Sequence, residues 1–245
     1  MKTNRTYKYY GEHTLLMEFT PQTEQEDVLQ VIRLRNYLKE KFAHKLQDAL
    51  HSFSSICLLF KDNFDLLDIQ ESIEQVIKDG KWRQELLHAA HWDIPICFDE
   101  EFSVDLTEHF DGNQNKINAY KKIICNHEFL LGFYGFLPGF CYMAGLPEQM
   151  AIPRKAKPNR LTKKGSLAVG GQQLGIYPQD SPGGWSVIGS TPISFFNPNG
   201  EEICFAKPGD KISFHAISRD HYDKLKGISE LGLLPVKNKN SHAKY

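Results

Sequence analysis

Residues 135–192 constrain the fold more than any other stretch of this 245-residue chain, because they hold ten of its 18 glycines and seven of its 12 prolines. Glycine reaches positive φ without a Cβ clash, while proline fixes φ and removes a backbone donor. A segment so rich in both excludes long helices and predicts tight turns joined by short strands. Four apolar or alternating segments lie between the turns, at residues 166–169, 174–177, 185–189 and 192–196. They are spaced as the strands of a small barrel or sandwich would be.

The flanking sequence has a different grammar. Residues 7–10 and 14–19 read as a hairpin about Gly11. Residues 21–45 predict a helix, with Thr23 as cap, Glu26 three residues on, and Val28, Val31, Ile32, Leu38 and Phe42 near helical spacing. A strand at 54–60 and a helix at 66–78, ended by Asp79 and Gly80, repeat the alternation. This predicts a small N-terminal α/β domain over residues 1–91, with 81–92 as a polar linker lacking a strand. A second domain is expected over 92–230, followed by a polar tail at 231–245. Within it the sequence predicts a strand at 94–98, helices at 105–110 and 115–124, and a strand at 129–133. A hairpin of 203–206 and 212–216 about Pro208, Gly209 and Asp210, then a helical turn at 221–225, complete the expectation.

Composition narrows the function classes. The five cysteines are odd in number, widely spaced and free of any C-x-x-C pair, which fits unpaired thiols in a reducing cytoplasm better than a disulfide scaffold or zinc site. The first fourteen residues lack an apolar signal core, so the expected location is cytoplasmic. Residues 129–147 carry no charge over nearly a bilayer span, yet contain Gly132, Gly135, Pro138, Gly139 and Gly145, which predicts buried strand and turn and no membrane helix. A net charge of -1, with aromatics not interleaved among the basic residues, argues against a nucleic-acid partner.

Phosphate-binding motifs of the P-loop, dinucleotide and kinase kinds are absent. His88 and His91 have no carboxylate at metal-ligand spacing and read as solvent-facing linker residues, so no metal is expected. No acid interrupts residues 150–179, where Arg154, Lys155, Lys157, Arg160, Lys163 and Lys164 lie. The lysines read as a solvated face, whereas the planar fork of Arg154 is equally suited to a carboxylate or phosphate. Gly183, Gly184 and Trp185 fit either a pocket rim, with backbone N–H groups open to a ligand and an indole wall, or a turn packed on the barrel. The Tyr142 hydroxyl and the Gln173 amide are candidate polar groups in an otherwise apolar cleft, and Phe136, Pro138 and Phe140 read as core and turn. No nucleophile stands out: Ser166 and Ser181 lack a G-x-S-x-G elbow, and Cys141 has no base beside it in sequence.

The glycine-rich run also carries a resemblance. GFLPGF at 135–140, Tyr142, Pro153 and Arg154, Gly165 and Ser166, Gln173, GIYP at 175–178, SPGGW at 181–185, Ile188 and Gly189, and Thr191 and Pro192 occur in one order. Together they resemble the 5-oxoprolinase B-subunit family, whose members are also known as the first subunit of allophanate hydrolase and as the Kip-type inhibitor of a sporulation histidine kinase. The likeness extends more weakly over residues 7–225. It implies an α+β architecture, an N-terminal α/β sandwich followed by a cyclophilin-like β-barrel. It also implies companion subunits that together hydrolyse 5-oxoproline to glutamate using ATP, with the substrate at Arg154, Gln173, Tyr177, Gly183, Gly184 and Trp185. Its other implications are a binding module for a sensor histidine kinase and a carboxyltransferase-like half of an allophanate or urea system. The chain departs from the family at three places. Ile124 stands in the register of a family histidine, with His127 three positions later. Asn159 stands in the register of a second arginine, with Arg160 displaced by one, and Cys141 replaces a proline.

Overall fold

Gly11, at φ +62°, makes the turn between β1 (Thr6–Tyr10) and β2 (Thr14–Glu18). The structure is a computed structural model describing residues 5–21, 23–62, 65–87, 89–200, 202–230 and 237–238. The chain divides into two units, Met1–His88 and Ala89–Tyr245.

In the first unit the hairpin is followed by α1 (Gln25–Lys41), β3 (Leu46–His51), β4 (Ser55–Phe60) and α2 (Leu66–Asp79). The four strands form an antiparallel sheet of order β1-β2-β4-β3. Alternation places Leu15 and Met17 of β2 and Ile56, Leu58 and Phe60 of β4 on one face, which α1 covers with Val31, Leu34 and Leu38 and α2 with Ile69, Ile73 and Val76. Asp65 caps α2 by accepting from the N–H groups of Leu67 and Asp68, and Gly80, at φ +69°, ends it. Two expectations change here. The residue capping α1 is Glu24 rather than Thr23, and its side chain makes no cap bond. The helix also stops at Lys41, and residues 42–45 form a turn that leads into β3. Nor is 81–92 a strandless polar linker: Trp82 is fully buried in the first unit's core, and His91 and Trp92 open a strand of the second unit.

The second unit runs β5 (His91–Cys97), α3 (Val104–His109), α4 (Gln114–Asn126), β6 (Glu128–Tyr134), β7 (Cys141–Ala144), β8 (Asn159–Thr162), β9 (Ser166–Gly170), β10 (Gln173–Ile176), β11 (Ser181–Gly183), β12 (Ser186–Ser190), β13 (Lys211–Ile217), α5 (Arg219–Glu230) and β14 (Lys237–Asn238). Strands pair in the order β12-β9-β10-β7-β6-β13-β5, and Ser190 of β12 meets Cys97 of β5, which closes a seven-stranded barrel. The short β14 pairs with β5, and β8 and β11 form a separate ribbon. Ile94, Leu131, Met143, Leu167, Leu174 and Ile188 point inward and, with their neighbours, fill the interior.

Among the described residues two of the expected strands are absent. Residues 192–196 form no ladder, although Ile193 and Phe195 still pack into the barrel core. Residues 203–206 make no hairpin with β13, which instead runs parallel to β5 and antiparallel to β6. The Pro208-Gly209-Asp210 turn serves another purpose: the buried Asp210 carboxylate accepts from the N–H groups of Ala90 and Lys207 and from Trp92 Nε1, each at 2.8 Å. The uncharged stretch 129–147 supplies β6 and β7, and among the described residues no helix is long and apolar enough to cross a membrane.

Candidate functional site

On the outer face of the barrel, small residues make a floor. Gly175 of β10 lies between Tyr142 of β7 and Ala168 of β9, and Ala168 in turn faces Val187 of β12. Because alternate residues point outward, this row and the neighbouring Gly170 lie on the side opposite the barrel core. Absent side chains there let aromatic rings approach the sheet. A Cβ at Gly175 would fall 2.8 Å from the ring of Phe140, and one at Gly170 would fall 2.5 Å from the indole of Trp185. Phe140 is the hub. Its centroid lies 4.8 Å from Tyr142, 5.0 Å from Tyr177 and 5.5 Å from Trp185, the last two edge-on.

The polar groups gather above these rings. The Arg154 guanidinium lies 5.7 Å from the centroid of Trp185, within range of a cation–π attraction. Burial raises the phenol pKa of both Tyr142 and Tyr177, and the Arg154 charge opposes that rise at each. Gly183 passes so close to the Tyr177 hydroxyl that a Cβ would lie 2.1 Å from it. The carbonyl of Gly184 accepts from the backbone N–H of Lys155 at 2.8 Å. Gln173 pairs with Gly170, the residue beneath Trp185, and its Oε1 is buried with no hydrogen-bond partner among the described residues. Arg154, Tyr177, Gly183, Gly184 and Trp185 therefore meet in one place, and Gln173 lies on the adjoining floor.

Three features were not visible in sequence. Phe136, expected in core and turn, lies in a turn with its ring 63% exposed at the edge of the site, edge-on to Phe140 at 5.6 Å. Lys155, expected on a solvated face, is mostly buried and forms an ion pair with Asp105 at 2.6 Å. A cleft of about 780 Å³ in the second unit contains none of the six expected residues; Asp105, Asn159, Lys164, Ser190, Arg219 and Tyr222 are among those lining it. Arg154 is exposed over the indole, outside that cleft.

The departures from the family pattern are filled by structural contacts. Ile124 is fully buried in the barrel core, His127 Nε2 donates to the Gly145 carbonyl at 2.6 Å, and Asn159 accepts from Lys155 Nζ at 3.1 Å. Arg160 is exposed on β8. His91 is no linker residue: it sits in β5 with its Nε2 3.1 Å from Ser213 Oγ and 3.3 Å from Glu128. His88 lies outside the described residues. No group of three or more His, Cys, Asp or Glu residues able to hold a metal occurs among the described residues. Burial pushes the Cys141 thiol up to about 12, a thiol state poorly suited to nucleophilic attack.

The sequence that builds this barrel falls in a known class. The family model "Carboxyltransferase domain, subdomain C and D" matches residues 5–206, and the chain belongs to that family. Within it, the chain is 32% identical to the 5-oxoprolinase B-subunit of Bacillus subtilis over 159 residues, 65% of this chain and 64% of that one. It is 46% identical to the Escherichia coli O157:H7 protein of the same name over 87 residues, 36% of this chain and 40% of that one. The Haemophilus influenzae counterpart is 31% identical over 64% of this chain and 73% of its own length. The matched part thus spans less than two thirds of the first two relatives. The solved structure of Kluyveromyces lactis urea amidolyase shares the fold, with TM-score 0.73 at 13% identity over 95% of this chain and 16% of that one.

Proposed function

We propose that the chain is a subunit of a 5-oxoprolinase-type complex that hydrolyses 5-oxo-L-proline to L-glutamate with ATP, and that it supplies part of the substrate site. The observation that carries this reading is the Arg154 guanidinium set over the Trp185 face, beside the buried Tyr177 and the half-buried Tyr142. A five-membered lactam bearing a carboxylate needs an anion clamp, a flat apolar wall and an acceptor for its N–H. Arg154 answers the first, the indole of Trp185 backed by Phe140 and Tyr142 the second, and the Gln173 side chain, whose Oε1 has no hydrogen-bond partner among the described residues, the third. Gly183 lets the Tyr177 hydroxyl pack against the backbone of the rim, where a Cβ would fall 2.1 Å from it. A lactam is a poor electrophile, and ATP supplies the energy to activate its oxygen before water attacks. The chain has no nucleotide motif, so ATP and the companion subunits belong to the assembled complex.

The identity to three 5-oxoprolinase B-subunits supports this reading over a urea-carboxylating role. The second role keeps one specific support, the shared fold with urea amidolyase together with 29% identity to the Lachancea kluyveri urea amidolyase over 43% of this chain and 6% of that one. The test is ATP-dependent turnover by the chain reconstituted with its companion subunits, with 5-oxo-L-proline and urea offered separately. Turnover of 5-oxo-L-proline, with KM raised about tenfold to hundredfold in Arg154→Ala, is the expected result, since a hydrogen bond to a charged group contributes about 1.5–3 kcal/mol. Unchanged kinetics in Arg154→Ala would remove Arg154 from the site, and turnover of urea alone would replace the reading.

A further inference from the structure

Asp105, on α3, belongs to no sequence motif, yet both of its oxygens are engaged. Oδ1 accepts from Lys155 Nζ at 2.6 Å and Oδ2 from the Val187 N–H at 2.7 Å. The two side chains are only 10% and 22% exposed. Lys155 Nζ also donates to Asn159 Oδ1 at 3.1 Å, and its backbone N–H donates to the Gly184 carbonyl at 2.8 Å. These bonds surround the cation–π pair from both ends: Lys155 follows Arg154 directly, and Gly184 and Val187 flank the Trp185–Ser186 dipeptide. Desolvation largely offsets the attraction within a pair so enclosed, so its effect is better sought in geometry than in stability. An arginine on a free loop would sample many rotamers; one whose neighbour is held by side chain and backbone together starts from a fixed Cα.

We infer that the Asp105–Lys155 pair is a positioning device that holds Arg154 over Trp185 in register to receive a carboxylate. Asp105 and Lys155 are positioning residues and need not touch the substrate. The inference rests on the proposed role of Arg154, but the placement itself can be measured without a ligand.

The experiment uses the full chain and its reconstituted complex, with Asp105→Asn, Lys155→Met and the conservative Lys155→Arg. In 15N-labelled protein the Arg154 Nε–H resonance, shifted by the Trp185 ring current, is expected to move toward its free position in Asp105→Asn and Lys155→Met and to return in Lys155→Arg. In the complex the first two variants are expected to raise KM for 5-oxo-L-proline about tenfold with kcat within twofold, an effect of misplacement rather than lost chemistry. A purely structural pair would lower the melting temperature and leave the KM of the folded enzyme unchanged. Should either folded variant keep the Arg154 resonance in place, the positioning role is overturned. If Arg154→Ala raises KM while the folded pair variants do not, only the positioning role falls. If Arg154→Ala changes nothing while the resonance moves, the pair positions Arg154 and the substrate assignment falls.

Discussion

Phe136 lies in a turn, as its sequence context predicts, but its ring is exposed rather than in the core. Its φ of +62° is rare for a bulky side chain, and the Leu137 N–H donates to the Gly135 carbonyl at 2.7 Å, the pattern of a positive-φ γ-turn. Backbone held there is strained, and strain of this kind gathers at functional sites. In Phe136→Gly the relief of about 1–2 kcal/mol of left-handed strain is expected to offset an edge-to-face contact of about 0.5–1.5 kcal/mol. Urea unfolding should therefore find stability within about 1 kcal/mol of the parent, and a loss above about 3 kcal/mol would contradict the strain. Gly183→Ala goes the other way. Its Cβ would collide with the Tyr177 hydroxyl, so a destabilisation of about 1–3 kcal/mol is expected in the same assay. Cys141 gives a pH prediction. With its folded pKa raised by burial to about 12, the buried thiol contributes stability that is complete below its unfolded value and is lost as pH rises from about 9 toward 12. Replacing it by Ala should flatten that part of the stability profile; an unchanged slope would rule Cys141 out as its source.

At the scale of elements, what the sequence reveals depends on whether the signal is local. Helical periodicity and an Asp-Gly stop mark α2 to within a residue, and Asp65 supplies its cap from the adjoining turn. Asp65→Ala should cost about 1 kcal/mol in chemical unfolding, and no measurable cost would mean that the two N–H groups find other partners. Strand β3 escaped notice because its buried positions, Leu46 and Ala49, are three apart, a spacing that continues the α1 pattern until a register shift beside Asp48 is seen. Distant pairing defeats local reading more thoroughly. Pro208-Gly209-Asp210 carries a hairpin signal, but its carboxylate binds groups at residues 90 and 92, and β13 lies alongside β5 in parallel. The site divides in the same way. Gly183, Gly184 and Trp185 are consecutive, and Tyr177 and Arg154 come from the same turn-rich run, so their convergence follows from that run folding on itself. Asp105, 50 residues before Lys155 and 82 before Val187, leaves no trace in the pattern.

For the molecule as a whole, two separate cores serve two units, and the candidate site is built entirely within the barrel unit. Closure of the barrel turns a glycine-rich sequence into a rigid outer wall: large residues fill the interior, and small ones outside leave room for Phe140, Tyr142, Tyr177 and Trp185. The barrel thereby holds the Arg154 guanidinium 5.7 Å from the centroid of Trp185. The most direct measurement compares 5-oxo-L-proline with 2-pyrrolidinone, the same lactam without its carboxylate, as competing ligands of the reconstituted complex in wild-type and Arg154→Ala forms. Wild type should prefer the carboxylate-bearing ring by about tenfold or more, and Arg154→Ala should lose most of that preference. An equal preference in both forms would contradict an anion site at Arg154.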